Sequence, residues 1–452
     1  MRTWLMILLL GAALPAESAA AAPAFPVTAG NGALRLTVDS LRTASAYGET
    51  AAPAGQQWLV LAARWENRID PKFAAERDLA TAYENDGLAR HLYVVVDGRT
   101  LGTLAGDLAD GAGHRSRAGI FLAKPGATAA GDLVFGIPTG PFTSAELRYY
   151  DDTTGHFALA LAGAPPTDRA VRGPVRNQVG EFALHAIDDP ARDVKAPAGF
   201  RAIALELRGR SLWTTAGDAP LYDAGHPRGA QTQQVKLLDW PDTRKSFLLL
   251  ADGEYAYAPQ GGTLPESARF LPDAATGGSL VFFVPTAAQT LELTCTMTRT
   301  DTGEDAPNAT ALSFAVAGTP SKPASAKLPL QIKDEMFQVG IAARRTPEFA
   351  GEKAADSQTF FVLDVIAENT GGGAEYFQPR SQLSLTDPAG AAVEADEITA
   401  RGAHRPEDIV FVPAGAHRRF ELVFRMPALP TPPKLHFRGG SFEQDYELPL
   451  KP

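Results

Sequence analysis

Leu133-Val134-Phe135-Gly136-Ile137-Pro138 is echoed by Leu280-Val281-Phe282-Phe283-Val284-Pro285 and again by Leu422-Val423-Phe424-Arg425-Met426-Pro427. Their near-equal spacing along 452 residues predicts one folding pattern built three times. In an extended chain, side chains alternate between two faces, so Leu, Phe and the Ile/Val/Met position share one side. The closing proline has no N–H for a central ladder and marks a strand end.

The same punctuation recurs outward from each hexapeptide. Pro125-Gly126, Pro272-Asp273 and Pro413-Ala414-Gly415 stand just upstream. Before them, apolar runs break at Asp97-Gly98, Asp252-Gly253 and Asp387-Pro388-Ala389-Gly390. Asp-Gly accepts the positive φ angles of a tight hairpin. Ala52-Pro53-Ala54-Gly55 and Ala196-Pro197-Ala198-Gly199 each precede an apolar strand, and two such strands close on Glu66-Asn67 and Glu368-Asn369. In the second copy Arg208-Gly209 is read at that place.

Period-two patterns open each copy: Leu34, Leu36, Val38; Phe182, Leu184, Ala186; Phe337, Val339, Ile341. Each copy ends on two further candidate strands, such as Leu147-Tyr150 with Phe157-Leu159 in the first. The expected fold is all-β: three tandem immunoglobulin-like antiparallel sandwiches over residues 27–163, 176–318 and 329–451. With 42 Gly and 35 Pro the chain suits many turns and few long helices. The stretches Gly163-Ala164-Pro165-Pro166-Thr167-Asp168 and Thr319-Pro320-Ser321-Lys322-Pro323-Ala324-Ser325 read as Pro-rich spacers.

The marker order, and above all the third copy with Glu368-Asn369, Asp387, Pro413, Gly415, Phe424 and Pro427, resembles the bacterial exported immunoglobulin-like domains of unknown function. That family occurs in secreted proteins and lipoproteins and is related to the mycobacterial immunoprotective antigen fold. The resemblance implies a secreted binding or structural module and brings no catalytic residues with it.

The N-terminus reads as a signal peptide over residues 1–22: Arg2, an apolar run from Trp4 to Leu14, then small residues from Ser18 to Ala22. This places the expected mature chain in a periplasm, on a cell surface or outside, without a membrane span. Cys295 is the single cysteine, so no intrachain disulfide forms, and its alternating strand predicts a buried hydrophobe. A net charge of −10 opposes binding to nucleic acid.

Motifs that supply fixed metal ligands, phosphate-cradling amides or an exposed nucleophile are absent from the sequence. No cofactor and no metal ligand set is expected. His404 and His417 are a scattered pair without a third ligand. Asp151-Asp152 and Asp188-Asp189 with Asp193 read as turn and solvation residues, and Asn308-Ala309-Thr310 matches a glycosylation triplet.

Specificity is expected in the insertions. The first, from Asp70 to Arg90, includes a short helix near Phe73-Leu79. The second gathers Trp213, Tyr222, His226 and Trp240, which form either a ligand-stacking platform or a local mini-core. These four are the candidate ligand-binding residues. The expected function is a non-catalytic binding or adaptor protein, not an enzyme, for a cell-envelope protein or glycan. One alternative is carbohydrate binding through the second insertion. Another is an accessory or hydrolytic enzyme with a site on the insertions.

Overall fold

Each hexapeptide ends the last of four strands paired antiparallel in one order, in a computed structural model of the chain. The structure describes residues 24–164, 169–197, 199–240, 243–253, 255–295, 312–319, 328–349, 352–372, 375–395, 410–412, 414–428, 431–439 and 445–450. The stretch 1–22 read as a signal peptide, most of both Pro-rich stretches, the Asn308 triplet and His404 lie outside them.

The sheet order is the same three times. Val27–Gly30 pairs with Leu34–Ala44, which pairs with Gln56–Asn67, which pairs with Thr128–Pro138. Arg172–Arg176, Gly180–Asp188, Phe200–Ser211 and Thr276–Pro285 repeat that order. So do Leu330–Lys333, Phe337–Thr346, Gln358–Asn369 and His417–Pro427.

Thr100–Ala105 links two sets of strands into one eight-stranded sheet in the first repeat, and three further strands pair antiparallel each time. They are Leu92–Val96, Ala145–Tyr149, Phe157–Ala162; Phe247–Ala251, Leu291–Cys295, Leu312–Ala317; and Leu383–Thr386, Lys434–Arg438, Asp445–Pro449. A two-stranded ribbon accompanies each set: Tyr83–Asn85 with Ile120–Leu122, Leu238–Trp240 with Ala268–Phe270, and Glu375–Phe377 with Val410–Val412. The chain is nearly all β, as its periodicity predicts.

The hexapeptide faces behave as expected. Leu133, Phe135, Ile137, Leu280, Phe282, Val284, Leu422, Phe424 and Met426 are all buried. They contribute to three apolar clusters, centred on Trp65 and Phe135, on Phe182 and Trp240, and on Phe337 and Phe420. Each fully buried Leu or Phe contributes roughly 1.5–3 kcal/mol, so these faces dominate the stabilisation. The turns also match: Asp97, Gly98, Asp252 and Gly253 have φ of 50°, 60°, 50° and 71°. Cys295 is buried, and burial pushes its thiol well above the ordinary cysteine range.

Packing groups the chain into two compact units. The first comprises residues 1–98, 102–166 and 219–228; the second comprises 99–101, 167–218 and 229–452. The second unit therefore holds two of the three apolar clusters. Within it Tyr255–Tyr257 runs parallel to His417–Pro427, with Tyr255 opposite Arg419, so eight strands form one sheet. Arg419 donates to both carboxylate oxygens of Asp364, at 2.9 and 2.5 Å, while its guanidinium lies 5.0 Å from the Tyr255 ring. Leu248 and Leu250, on the outward face of Phe247–Ala251, are buried with Ala256 and Ala258 in a further cluster. A freely tumbling module would leave such a face wet.

A polar device is shared by all three repeats. Asn31, Asn177 and Asp334 each accept, through one side-chain oxygen, the N–H groups two and three residues on, which start the next strand. At the far end of the long central strand, Asn67 donates to the carbonyls of Thr81 and Leu122 and accepts from Ile69 N–H. Asn369 likewise donates to the carbonyl of Val412 and accepts from Gly371 N–H. In the second repeat Ser211 accepts from Trp213 N–H, and it pairs with Gly180 as Asn67 pairs with Leu34 and Asn369 with Phe337. Arg208-Gly209 is therefore two residues short of the true counterpart, which is Arg210-Ser211. The neighbouring ion pair confirms the register with its charges exchanged: Arg35 faces Glu66, while Glu181 faces Arg210.

This register exposes a volume exchange inside the sheets. Trp65 faces Ala129, whereas the equivalent pairs are Gly209 with Thr276 and Ala367 with Arg418. At Gly209 an added Cβ would sit 2.2 Å from Phe182 Cδ1, so the Phe182 ring fills the space that Trp65 fills in the first repeat. Large beside small conserves the volume of a dense interior. Arg418 is the polar variant; burial pulls it down to about 10, against the attraction of Glu292.

Asn67→Ala is expected to lower stability by about 1–3 kcal/mol, because buried carbonyls lose their donor. Ser211→Ala, which removes a single acceptor, should cost less. Urea denaturation of both variants checks the order, and an Asn67→Ala chain as stable as the parent would contradict it.

Candidate functional site

The four candidate ligand-binding residues do not converge. Trp213 and Trp240 are 4% and 1% exposed and belong to the second apolar cluster. The Trp240 ring meets Phe182, Phe247 and Phe270 at centroid distances of 5.1, 4.7 and 6.0 Å. Ribbon register puts Trp240 at the inward position that Phe377 holds in the third ribbon. Neither indole is open for a sugar to stack on. The mini-core reading accounts for both, since a long insertion must bury its own apolar surface. Tyr222 and His226 fall in Ala219–Arg228, a segment that belongs to the first unit. The four residues are thus divided between two units.

The first unit ends in a buried polar network that receives this segment. Tyr149 Oη donates to Asp151 at 2.8 Å, so it accepts from Tyr83 Oη at 2.6 Å and from Asn85 Nδ2 at 3.2 Å. The other Asp151 oxygen accepts the N–H groups of Thr153 and Thr154, which turns the chain there. Asn31 Nδ2 donates to the Gly155 carbonyl at 2.8 Å, joining the first Asx turn to the same corner. Burial raises both tyrosines, so they remain protonated donors at neutral pH. Asp151 is a turn residue here, as its sequence context suggests. The arrangement holds strands and supplies rigidity.

Beside this corner lies the expected short helix, Pro71–Arg77. Asp70 caps it by accepting Lys72 N–H, Pro71 sits in its first turn, and Asp78 ends it in the left-handed region at φ 54°. The Arg77 guanidinium stacks 4.2 Å from the Phe73 ring. It donates to the carbonyls of His226, at 2.6 Å, and Asp223, at 3.3 Å, while Arg228 donates back to the Arg77 carbonyl at 2.5 Å.

Four other contacts fix the segment. Leu221 N–H donates to the Thr153 carbonyl at 2.8 Å, and Tyr222 Oη donates to the Ala80 carbonyl at 2.9 Å. The Tyr222 ring packs against the first apolar cluster. Gly32 lies so close that an added Cβ would be 2.1 Å from the Tyr222 carbonyl oxygen. Asp223 accepts Gly225 N–H and meets His226 Nδ1 at 2.9 Å, which curls the segment before it leaves.

The ribbons carry residues that sequence reasoning missed. Their outward positions hold Glu84 and Phe121 in the first, Asp239 and Arg269 in the second, and Tyr376 in the third. Phe121 is 61% exposed and Tyr376 41%, whereas Asp239 and Arg269 form a bidentate ion pair. Strict alternation in Ile120-Phe121-Leu122 was the available signal, because burying both neighbours turns Phe121 outward.

Among the described residues, no three or more His, Cys, Asp or Glu are grouped to hold a metal ion, and no helix is long and apolar enough to cross a membrane. Comparison with protein-family models, curated proteins and solved structures finds no match to this chain.

Gly32→Ala should lift Tyr222 from its seat without removing any hydrogen-bonding side chain. Amide exchange across 220–226 is expected to rise at least tenfold, with the sheets unaffected. The seat also has an acid limit. Gly225 N–H, then His226, hold the Asp223 carboxyl below the ordinary range. A depressed folded value means this contribution is present above about pH 4 and is lost as pH falls through the depressed value. Protection in the same segment, taken relative to the intrinsic exchange rate at each pH, should therefore fall in acid, and Asp223→Ala should abolish that dependence.

Proposed function

We propose that this chain is an exported, non-catalytic binding protein built of three immunoglobulin-like sandwiches in tandem. The thrice-formed strand order supports the sandwich reading: four strands paired in one order and three further strands both contribute to each apolar cluster. The resemblance to bacterial exported immunoglobulin-like domains supports the same reading, and the N-terminal apolar stretch supports export to a periplasm or cell surface.

The observation that carries the binding reading is the outward ribbon pair. Two of three repeats spend that position on an exposed aromatic, where the second neutralises it with Arg269 and Asp239. An exposed ring costs hydration unless a partner covers it, and rigid sandwiches hold such groups in fixed places. The partner class is a cell-envelope protein or a glycan. Nucleic acid is disfavoured by the net charge of −10. Carbohydrate stacking on Trp213 and Trp240 loses support from their burial.

Site-specific photo-crosslinking in intact cells tests this reading. A photoreactive residue replacing Phe121 or Tyr376 in the full chain should form a discrete adduct with one envelope component. The same residue replacing exposed Glu49 should not. Equal labelling at all three positions, or retention of the chain in the cytoplasm, would refute the proposal.

A further inference from the structure

We infer that the corner of the first unit formed by Gly32, helix Pro71–Arg77 and Thr153–Gly155 is a peptide-binding site, filled in cis by Ala219–Arg228. The occupant is foreign to this corner in sequence. Leu221 and Thr153 are 68 positions apart, and His226 and Arg77 are 149 apart.

The contacts are those of recognition more than of core packing. The host addresses main-chain atoms of the segment: Arg77 donates to two carbonyls, and Thr153 offers its carbonyl to Leu221 N–H. A glycine at 32 lets the Tyr222 main chain approach where any side chain would collide. One aromatic anchor enters, Tyr222, with its hydroxyl bonded to Ala80 and its ring against the apolar cluster. The rest stays wet: Leu221 is 38% exposed, and Ala224 through Gly229 are exposed. Main-chain readout with a single aromatic pocket is how folded domains hold extended peptides.

The ligand class follows from those groups. It is a short peptide with a tyrosine, a free N–H just before it, and a turn of the Asp-x-Gly type just after. A second copy of the same segment, presented by another molecule, satisfies this chemistry.

A chain whose residues 219–230 are replaced by Asn-Gly closes the hairpin between Thr214–Asp218 and Gln231–Val235 without the occupant. A fluorescent peptide of residues 218–229 is the probe. Saturable binding to this chain, at least tenfold tighter than to the parent, is expected. Adding Arg77→Ala or Gly32→Ala should weaken it at least tenfold, as should Tyr222→Ala in the peptide. The full chain carrying Tyr222→Ala, which keeps the loop but empties the pocket, should bind with intermediate affinity and serves if the shortened chain misfolds. Absence of binding by either folded variant, or binding unchanged by Arg77→Ala, would overturn the assignment.

Discussion

The fold depends on satisfying the backbone at the point where each long central strand leaves its sheet. There the chain must turn inside the protein, and buried N–H and C=O groups have no water to bond. Asn67 and Asn369 solve this with one amide that both donates and accepts. The same amide ties the sheet to the ribbon strands at Leu122 and Val412, so strand exit and ribbon position are one constraint. Serine has a single oxygen, and Ser211 meets only part of the requirement, while the main-chain N–H of Asn67, Ser211 and Asn369 alike donates to a main-chain carbonyl, of Ala127, Leu271 and Ala416.

Given that constraint, the interiors differ by exchange. The space of Trp65 in one repeat is supplied by Phe182 in another, and Ala367 leaves room for the buried Arg418 in the last. Equal volumes from unequal residues hide the relation at the level of letters. The cost falls on independence as well: the parallel pairing at Tyr255 and Arg419 joins two repeats in one sheet, and the outward leucines at 248 and 250 become interior.

The first unit has the richest polar chemistry and uses it for rigidity. Tyr83, Tyr149 and Asp151 form a chain of donors ending on a carboxylate, and every hydroxyl in it is committed. A network whose hydroxyls are all hydrogen-bonded makes a firm platform. What it supports is a surface that holds main-chain atoms of a distant segment, so the second insertion serves two ends: its tryptophans build an interior, and its tyrosine serves the first unit.

Alternation and turn chemistry are local, so the sequence by itself determined most of the long strands, the faces of the three hexapeptides, the Asp-Gly hairpins and a short helix near Phe73–Leu79, which the structure forms at Pro71–Arg77. A period of two and a positive φ need no distant partner to be read. The counterpart of Asn67 in the second repeat was decided only by the tertiary structure, because its register depends on a cross-strand partner and on a side chain of another type. The same holds for Trp213, Tyr222, His226 and Trp240: composition showed aromatics on an insertion, but burial depends on what folds over them. Whether a ring faces water is a property of its neighbours in space, and those neighbours come from strands far away in the chain.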